Sequence, residues 1–279
     1  GHFGAPQLGG IGAGWATTIT HWVMLLCLSI YVFKSKRFAA IKLFQGSLVP
    51  QLNELITLLK LGLPIGITFF VEGSIFSIIA LFLASLGVVT VAAHQIALSF
   101  SSLIFILPLS LSISLTIQVG RQSGAQQWQD VSNTIKAGYL ISLSLSTMAA
   151  LLIVNFSTDI ATLYSNDLQV IELAGSLMIF TAFYQFSDGI QLCSSGSLRG
   201  LKDTTIPMLL SIIAYWLIGF PLGYTLALTD IITEAMGAKG FWIGLLSGLS
   251  LSAIFMTIRL YTIRSQHNKS RDTKHTRWN

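Results

Sequence analysis

The sequence predicts an all-α polytopic membrane helix bundle with seven transmembrane helices, an outside N-terminus and a cytoplasmic C-terminus. Composition is the first observation: the 279 residues are 53% hydrophobic and only 10% charged, whereas an ordinary soluble domain is about 25% charged. The second is the clustering of apolar residues into seven long, nearly charge-free stretches, each close to the roughly 20 residues that one bilayer crossing needs. The third is the one-sided placement of the basic residues between those stretches.

The apolar stretches cover about 11–33, 57–84, 91–118, 137–156, 172–196, 206–228 and 240–263. Helix is the state predicted for each, because hydrocarbon offers no partner to open backbone groups, and the ten-residue alternation of a membrane barrel is missing. Leu, Ile, Ser and Gly dominate them, the small residues suiting close packing between membrane helices. Pro64, Pro108, Pro207 and Pro221 are expected to kink or begin helices. Together with short loops the seven spans use nearly the whole chain, which leaves no room for a separate soluble domain.

Flanking charge sets the orientation. Lys34, Lys36, Arg37, Lys42 and Lys60 border the first gap, Arg121 and Lys136 the third, and Arg199 and Lys202 the fifth. The tail 265–279 adds a further basic group. All of the 16 basic residues except Lys239 fall on one side of the alternating topology, and the basic side is the cytoplasmic one. The opposite loops carry Asp159, Asp167, Asp230 and Glu234. The 34–54 gap is the longest; it is basic, contains Pro50, and reads either as an ordinary cytoplasmic loop or as a linker between one helix and a following bundle of six. Six helices are half of several transporter architectures. The chain begins Gly-His-Phe-Gly-Ala-Pro and reads as a fragment.

The net charge of +5 does not indicate nucleic acid, since the basic residues are confined to loops and form no groove interleaved with aromatics. Cys27 and Cys193 lie within apolar stretches and are expected to be packing residues, without a disulfide or a cofactor. No phosphate-cradling glycine loop, His-Glu-x-x-His or Gly-x-Ser-x-Gly motif is present, so an enzyme or a nucleotide-driven pump is not predicted.

Of the 11 acidic residues, Glu72 and Asp188 are the two well inside predicted spans. A carboxylate in hydrocarbon costs at least a few kcal/mol and is expected to face a cavity, a partner or an ion path. Glu72 lies about 12 residues, and Asp188 about 16, from the outer ends of their spans, a depth difference of roughly 6 Å at 1.5 Å rise per residue. Tyr184 precedes Asp188 by one helical turn and shares its face. These three groups can offer hard oxygen ligands to Na+, with Glu72 and Asp188 as its metal-type ligands, and the same carboxylates can accept H+. Gln95 and His94, near the outer start of the third span, can line a cavity but are more simply read as bonding a neighbouring helix, as are His21, Gln118, Gln185 and Gln191.

Several segments, taken in order, resemble the multidrug and toxic compound extrusion (MATE) family, in its bacterial NorM-like branch. They are Leu61-Gly62-Leu63-Pro64 followed by Glu72, Ala92-Ala93-His94-Gln95-Ile96-Ala97, Val119-Gly120-Arg121 with Gly124, Tyr184-Gln185-Phe186-Ser187-Asp188, Gly196-Ser197-Leu198-Arg199-Gly200-Leu201-Lys202-Asp203-Thr204, and Gly237-Ala238-Lys239-Gly240-Phe241-Trp242-Ile243-Gly244. The resemblance implies two six-helix lobes, of which this chain supplies the last helix of the first lobe (1–33), a basic interlobe linker (34–54), the second lobe (55–264) and a basic tail (265–279). It implies a bacterial inner-membrane antiporter that expels organic cations or amphiphilic drugs against Na+ or H+ by alternating access, alongside a missing N-terminal lobe. It further implies that Glu72, Tyr184 and Asp188 form the cation site, that Gln95 faces the cavity, and that Arg199 and Lys202 have a structural and topological role in a cytoplasmic loop. A lipid or oligosaccharide flippase of related fold is the alternative, although the buried charges here are acidic. A seven-helix receptor or retinal protein fits less well, because the last span has no internal lysine.

Overall fold

The computed structural model describes residues 8–35 and 51–275, with side chains to residue 265. The expected linker core at 36–50 and the extreme tail lie outside the described residues. Seven helices in the described residues are long and apolar enough to cross a membrane: α1 (Gly9–Lys34), α2 (Leu52–Ala84), α3 (Val88–Gly124), α4 (Trp128–Thr162), α5 (Leu168–Gly200), α6 (Thr205–Leu228) and α7 (Ala238–His275, spanning over Ala238–Ser265). They coincide with the seven apolar stretches but overrun them by several residues, because winding continues into polar flanks once a span has nucleated the helix.

The chain divides into two compact units, Gly1–Thr57 and Leu58–Asn279. The first contains α1, none of whose residues is buried. Four of its polar side chains bond within the helix: Thr17, Thr18 and Thr20 donate to the carbonyls of Ala13, Gly14 and Ala16, and His21 Nδ1 lies 2.9 Å from the Thr17 carbonyl. His21 thus bonds its own helix through Nδ1, which lets a polar residue sit on an apolar surface.

The second unit is a bundle built around α5. This helix packs on α3, α4 and α7, and serine and glycine allow the approach. Ser112 on α3 donates to the Leu192 carbonyl at 2.7 Å, Thr116 to the Gly196 carbonyl at 2.9 Å, and Ser146 on α4 to the Gln185 carbonyl at 2.8 Å. A Cβ at Gly196 would fall 2.4 Å from the Ser112 carbonyl oxygen, so only glycine admits this contact. The α2 helix joins through a stripe of side chains, Val71, Ile75, Ile79 and Leu83, whose spacing of four residues keeps them on one face of the helix and inside the core.

Local chemistry explains where helices stop or deform. Asp167 caps α5 by accepting from the Gln169 amide at 2.9 Å. At the other end of α5, Lys202 adopts φ +63°, with its amide bonded to Arg199 O and the Asp203 amide to Leu198 O, a left-handed termination that satisfies the last carbonyls. Gln126 repeats the arrangement after α3. In α4 the helix breaks its dihedrals at Phe156 (φ −126°, ψ 17°). In α6 the segment Ile213–Gly219 winds as a π-helix ahead of Pro221, whose missing amide removes an ordinary helical bond. The α6 and α7 backbones meet along Gly219, Gly223, Gly240 and Gly244, and a Cβ on Gly244 would lie 2.4 Å from the Gly223 Cα.

Candidate functional site

A cavity of about 640 Å³ opens inside the second unit, and Glu72, Gln95, Tyr184 and Asp188 all line it. Four helices build it. The α2 helix presents Glu72 at the margin of its buried stripe, one residue beyond Val71, which turns the carboxylate off the apolar core and toward the opening. The α5 helix presents Tyr184, Asp188 and Gln191 on one face at spacings of four and three. Gln95 reaches the cavity from α3, and Tyr215 reaches it from the π-helical segment of α6. Phe69, Phe76 and Phe105 supply apolar wall, and the Phe76 and Tyr184 rings meet edge to face with centroids 6.4 Å apart.

Gln191 Nε2 donates to Glu72 Oε1 at 2.6 Å, tying α2 to α5 at the acidic level. Interhelical bonding was the expectation for Gln191, and its partner is the carboxylate itself. Asp188 is 2% exposed, and its Oδ2 is buried without a hydrogen-bond partner. No Lys, Arg or His is among the residues lining the cavity. The result is two carboxyl groups, two phenols and two carboxamides around one space, with lone pairs left open on Asp188. Such a donor set suits a small hard cation or a proton. Among the described residues no group of three or more His, Cys, Asp and Glu comes together as a transition-metal cage.

Two residues behave differently from their sequence reading, and a third had no reading at all. His94 is fully buried with neither ring nitrogen bonded, and it meets Trp242 edge to face at 5.7 Å instead of bonding another helix. Arg199, expected in a loop, lies in the last turn of α5, because the helix runs on to Gly200. Tyr215 had no signal of its own: it sits in a continuous apolar run, and only the altered winding of α6 makes its position visible.

Seven helices long and apolar enough to cross a membrane, with an acidic, aromatic-walled cavity inside the second unit, define a multi-pass membrane protein. The MatE family model matches residues 64–225, and the chain belongs to that family. It is 47% identical over 265 residues to the probable multidrug resistance protein NorM of Shewanella oneidensis, covering 95% of this chain and 58% of that protein. Against the multidrug resistance protein NorM of Vibrio vulnificus it is 44% identical over 269 residues, covering 96% and 59%. The chain thus spans somewhat under three fifths of these relatives. In fold it is similar to the crystal structure of the eukaryotic MATE transporter AtDTX14, with TM-score 0.83, 21% identity, and 95% and 59% coverage. An outward-facing multidrug resistance MATE family transporter aligns with TM-score 0.80, 19% identity, and 94% and 58% coverage.

Proposed function

We propose that this chain forms the ion-coupling lobe of a secondary multidrug exporter, in which Na+ or H+ binds at Glu72, Asp188 and Tyr184 and its passage drives expulsion of cationic or amphiphilic drugs. The observation that carries the proposal is the meeting of Glu72 and Asp188, from two helices, in one cavity without a lining basic residue. Relatives named multidrug resistance proteins support the substrate class. The cavity volume falls within the range of about 300–1,000 Å³ that accommodates a drug-sized molecule. Its few polar anchors and broad aromatic wall favour breadth over selectivity.

In this reading Gln95 lines the drug-accessible side, α1 is the last helix of a preceding lobe, and 34–54 is the linker that lets the lobes rock. The basic ends of α2, α3, α5 and α7 face the cytoplasm. Two carboxylates in one apolar chamber repel each other unless a cation sits with them. An ion and a cationic drug are therefore rivals for the same negative charge, and such rivalry is what exchange requires. Coupling follows if ion occupancy favours one orientation by a few kcal/mol.

The test is dye efflux from cells or vesicles carrying the full-length gene product, under an imposed Na+ or H+ gradient. Glu72→Gln and Asp188→Asn are each expected to lower gradient-driven efflux at least tenfold while leaving the protein in the membrane. Normal coupled efflux in both variants would remove the assignment.

A further inference from the structure

Arg199 is a cation held close to the acidic cavity by neutral groups alone. Its Nη2 donates to Ser112 Oγ at 2.9 Å, its Nε donates to the Ser195 carbonyl at 3.4 Å, and its guanidinium carbon lies 5.4 Å from the centre of the Phe69 ring. Among the described residues the one ion pair found is Arg259 with Asp203, so Arg199 has no carboxylate within pairing distance. A charge kept partly out of water without an ion pair is expensive, and a mere link between α3 and α5 needs no charge.

The position of Arg199 gives that charge a use. Helical side chains lean toward the N-terminus of their helix, which aims Arg199 back along α5 toward Gln191 and the Glu72 carboxylate it holds. Arg199 follows Asp188 by 11 positions, three helical turns, so the two share a face of α5. Between Arg199 and Glu72 lies a second, much smaller void of about 10 Å³, lined by both residues together with Thr68, Ser195 and Thr204. That is room for about one water molecule. Phe69 lines both this void and the main cavity, and it is the same ring that holds the guanidinium.

We propose that Arg199 is a tethered counter-charge that contends with the coupling cation for Glu72. With the cation in the cavity, Arg199 stays parked on Ser112 and Phe69. As the cation leaves, the guanidinium closes toward Glu72 across the small void, the lining side chains yielding to it, takes over the charge on Glu72 and hinders rebinding from that end of the bundle. This extends the cation-site reading above, on which it rests, by naming what compensates Glu72 when the ion is gone.

The experiment measures binding of radioactive sodium to the full-length gene product in nanodiscs of neutral lipid, by scintillation proximity. If the wild-type chain takes up no sodium, proton uptake in weakly buffered medium is read in the same way. Glu72→Gln is measured first: undiminished cation binding there overturns the site, and the role of Arg199 with it. Given loss in Glu72→Gln, Arg199→Gln is expected to hold the cation about fivefold to tenfold more tightly, on the order of the effect of removing one nearby screened charge. Arg199→Lys should stay near wild type. Ser112→Ala, which frees the guanidinium to advance, should hold the cation more weakly. Unchanged or weaker binding in Arg199→Gln overturns the counter-charge role while leaving the site standing. If Arg199→Gln does not fold, Ser112→Ala decides, since affinity equal to or above wild type there contradicts a restrained rival cation.

Discussion

Gln191 shows how a single uncharged residue can govern a charged one. Its amide reaches Glu72 at 2.6 Å, and a hydrogen bond to an ionised group contributes about 1.5–3 kcal/mol, twice that of a neutral pair. Gln191→Leu removes a bond that favours the ionised carboxylate, and is therefore expected to leave insertion and folding intact but to lower the half-saturating ion concentration for efflux about tenfold, measured as the Na+ or H+ dependence of transport. An unchanged ion dependence would make Gln191 a simple helix link. Glu72 and Asp188 could be read from sequence because a carboxylate in an apolar run is conspicuous. Gln191 could not, since nothing in its spacing separates it from Gln118 or Gln185, and only the packing of α2 against α5 selects it. Arg199 was legible as a basic flank, but its folding back beside Phe69 depends on α5 continuing past the apolar stretch to Gly200.

Among the helices, the contact of α6 with α7 is the most exacting. Gly244 has no space for a methyl group, with Gly223 Cα 2.4 Å and Gly219 O 2.6 Å from where its Cβ would stand. Backbone atoms cannot give way as a flexible side chain does, so Gly244→Val should destabilise the chain by about 3 kcal/mol or more, read as a fall in the thermal midpoint in detergent. Gly62, by contrast, has nothing within 4 Å of its would-be Cβ. There Gly62→Ala should be neutral or stabilising by roughly 0.5–1 kcal/mol, the helix-interior glycine penalty. The seven apolar stretches announced these helices by length and composition alone. The break at Phe156, the π-helical segment and the left-handed Lys202 were invisible, because each is settled by neighbours distant in sequence or by a missing hydrogen bond.

For the molecule as a whole, basic residues cluster at the ends of α2, α3, α5 and α7, while Lys239 stands apart at the start of α7. Negative lipid and the membrane potential both retain Lys and Arg on the cytoplasmic side. In a background carrying Cys27→Ser, Lys239→Cys should be labelled by a membrane-impermeant thiol reagent applied to intact cells, and Lys202→Cys only after permeabilisation. The reverse pattern would invert the topology. Cys193 is buried and should not contribute to labelling. Fold class and membrane character were readable from composition because hydrocarbon restricts the options so severely. Which polar groups share the cavity required four helices to be placed against one another.

The π-helical stretch at Ile213–Gly219 makes this chain sensitive to length in an unusual place. Loss of one codon there would restore regular winding, at about 100° per residue, and would still leave a segment long enough to cross the bilayer. The flanks would stay in phase, but Tyr215, inside the wide turn, would shift relative to the acidic chamber. Hydropathy would record no difference, so an allele shortened by one residue here would be mistaken for an intact gene.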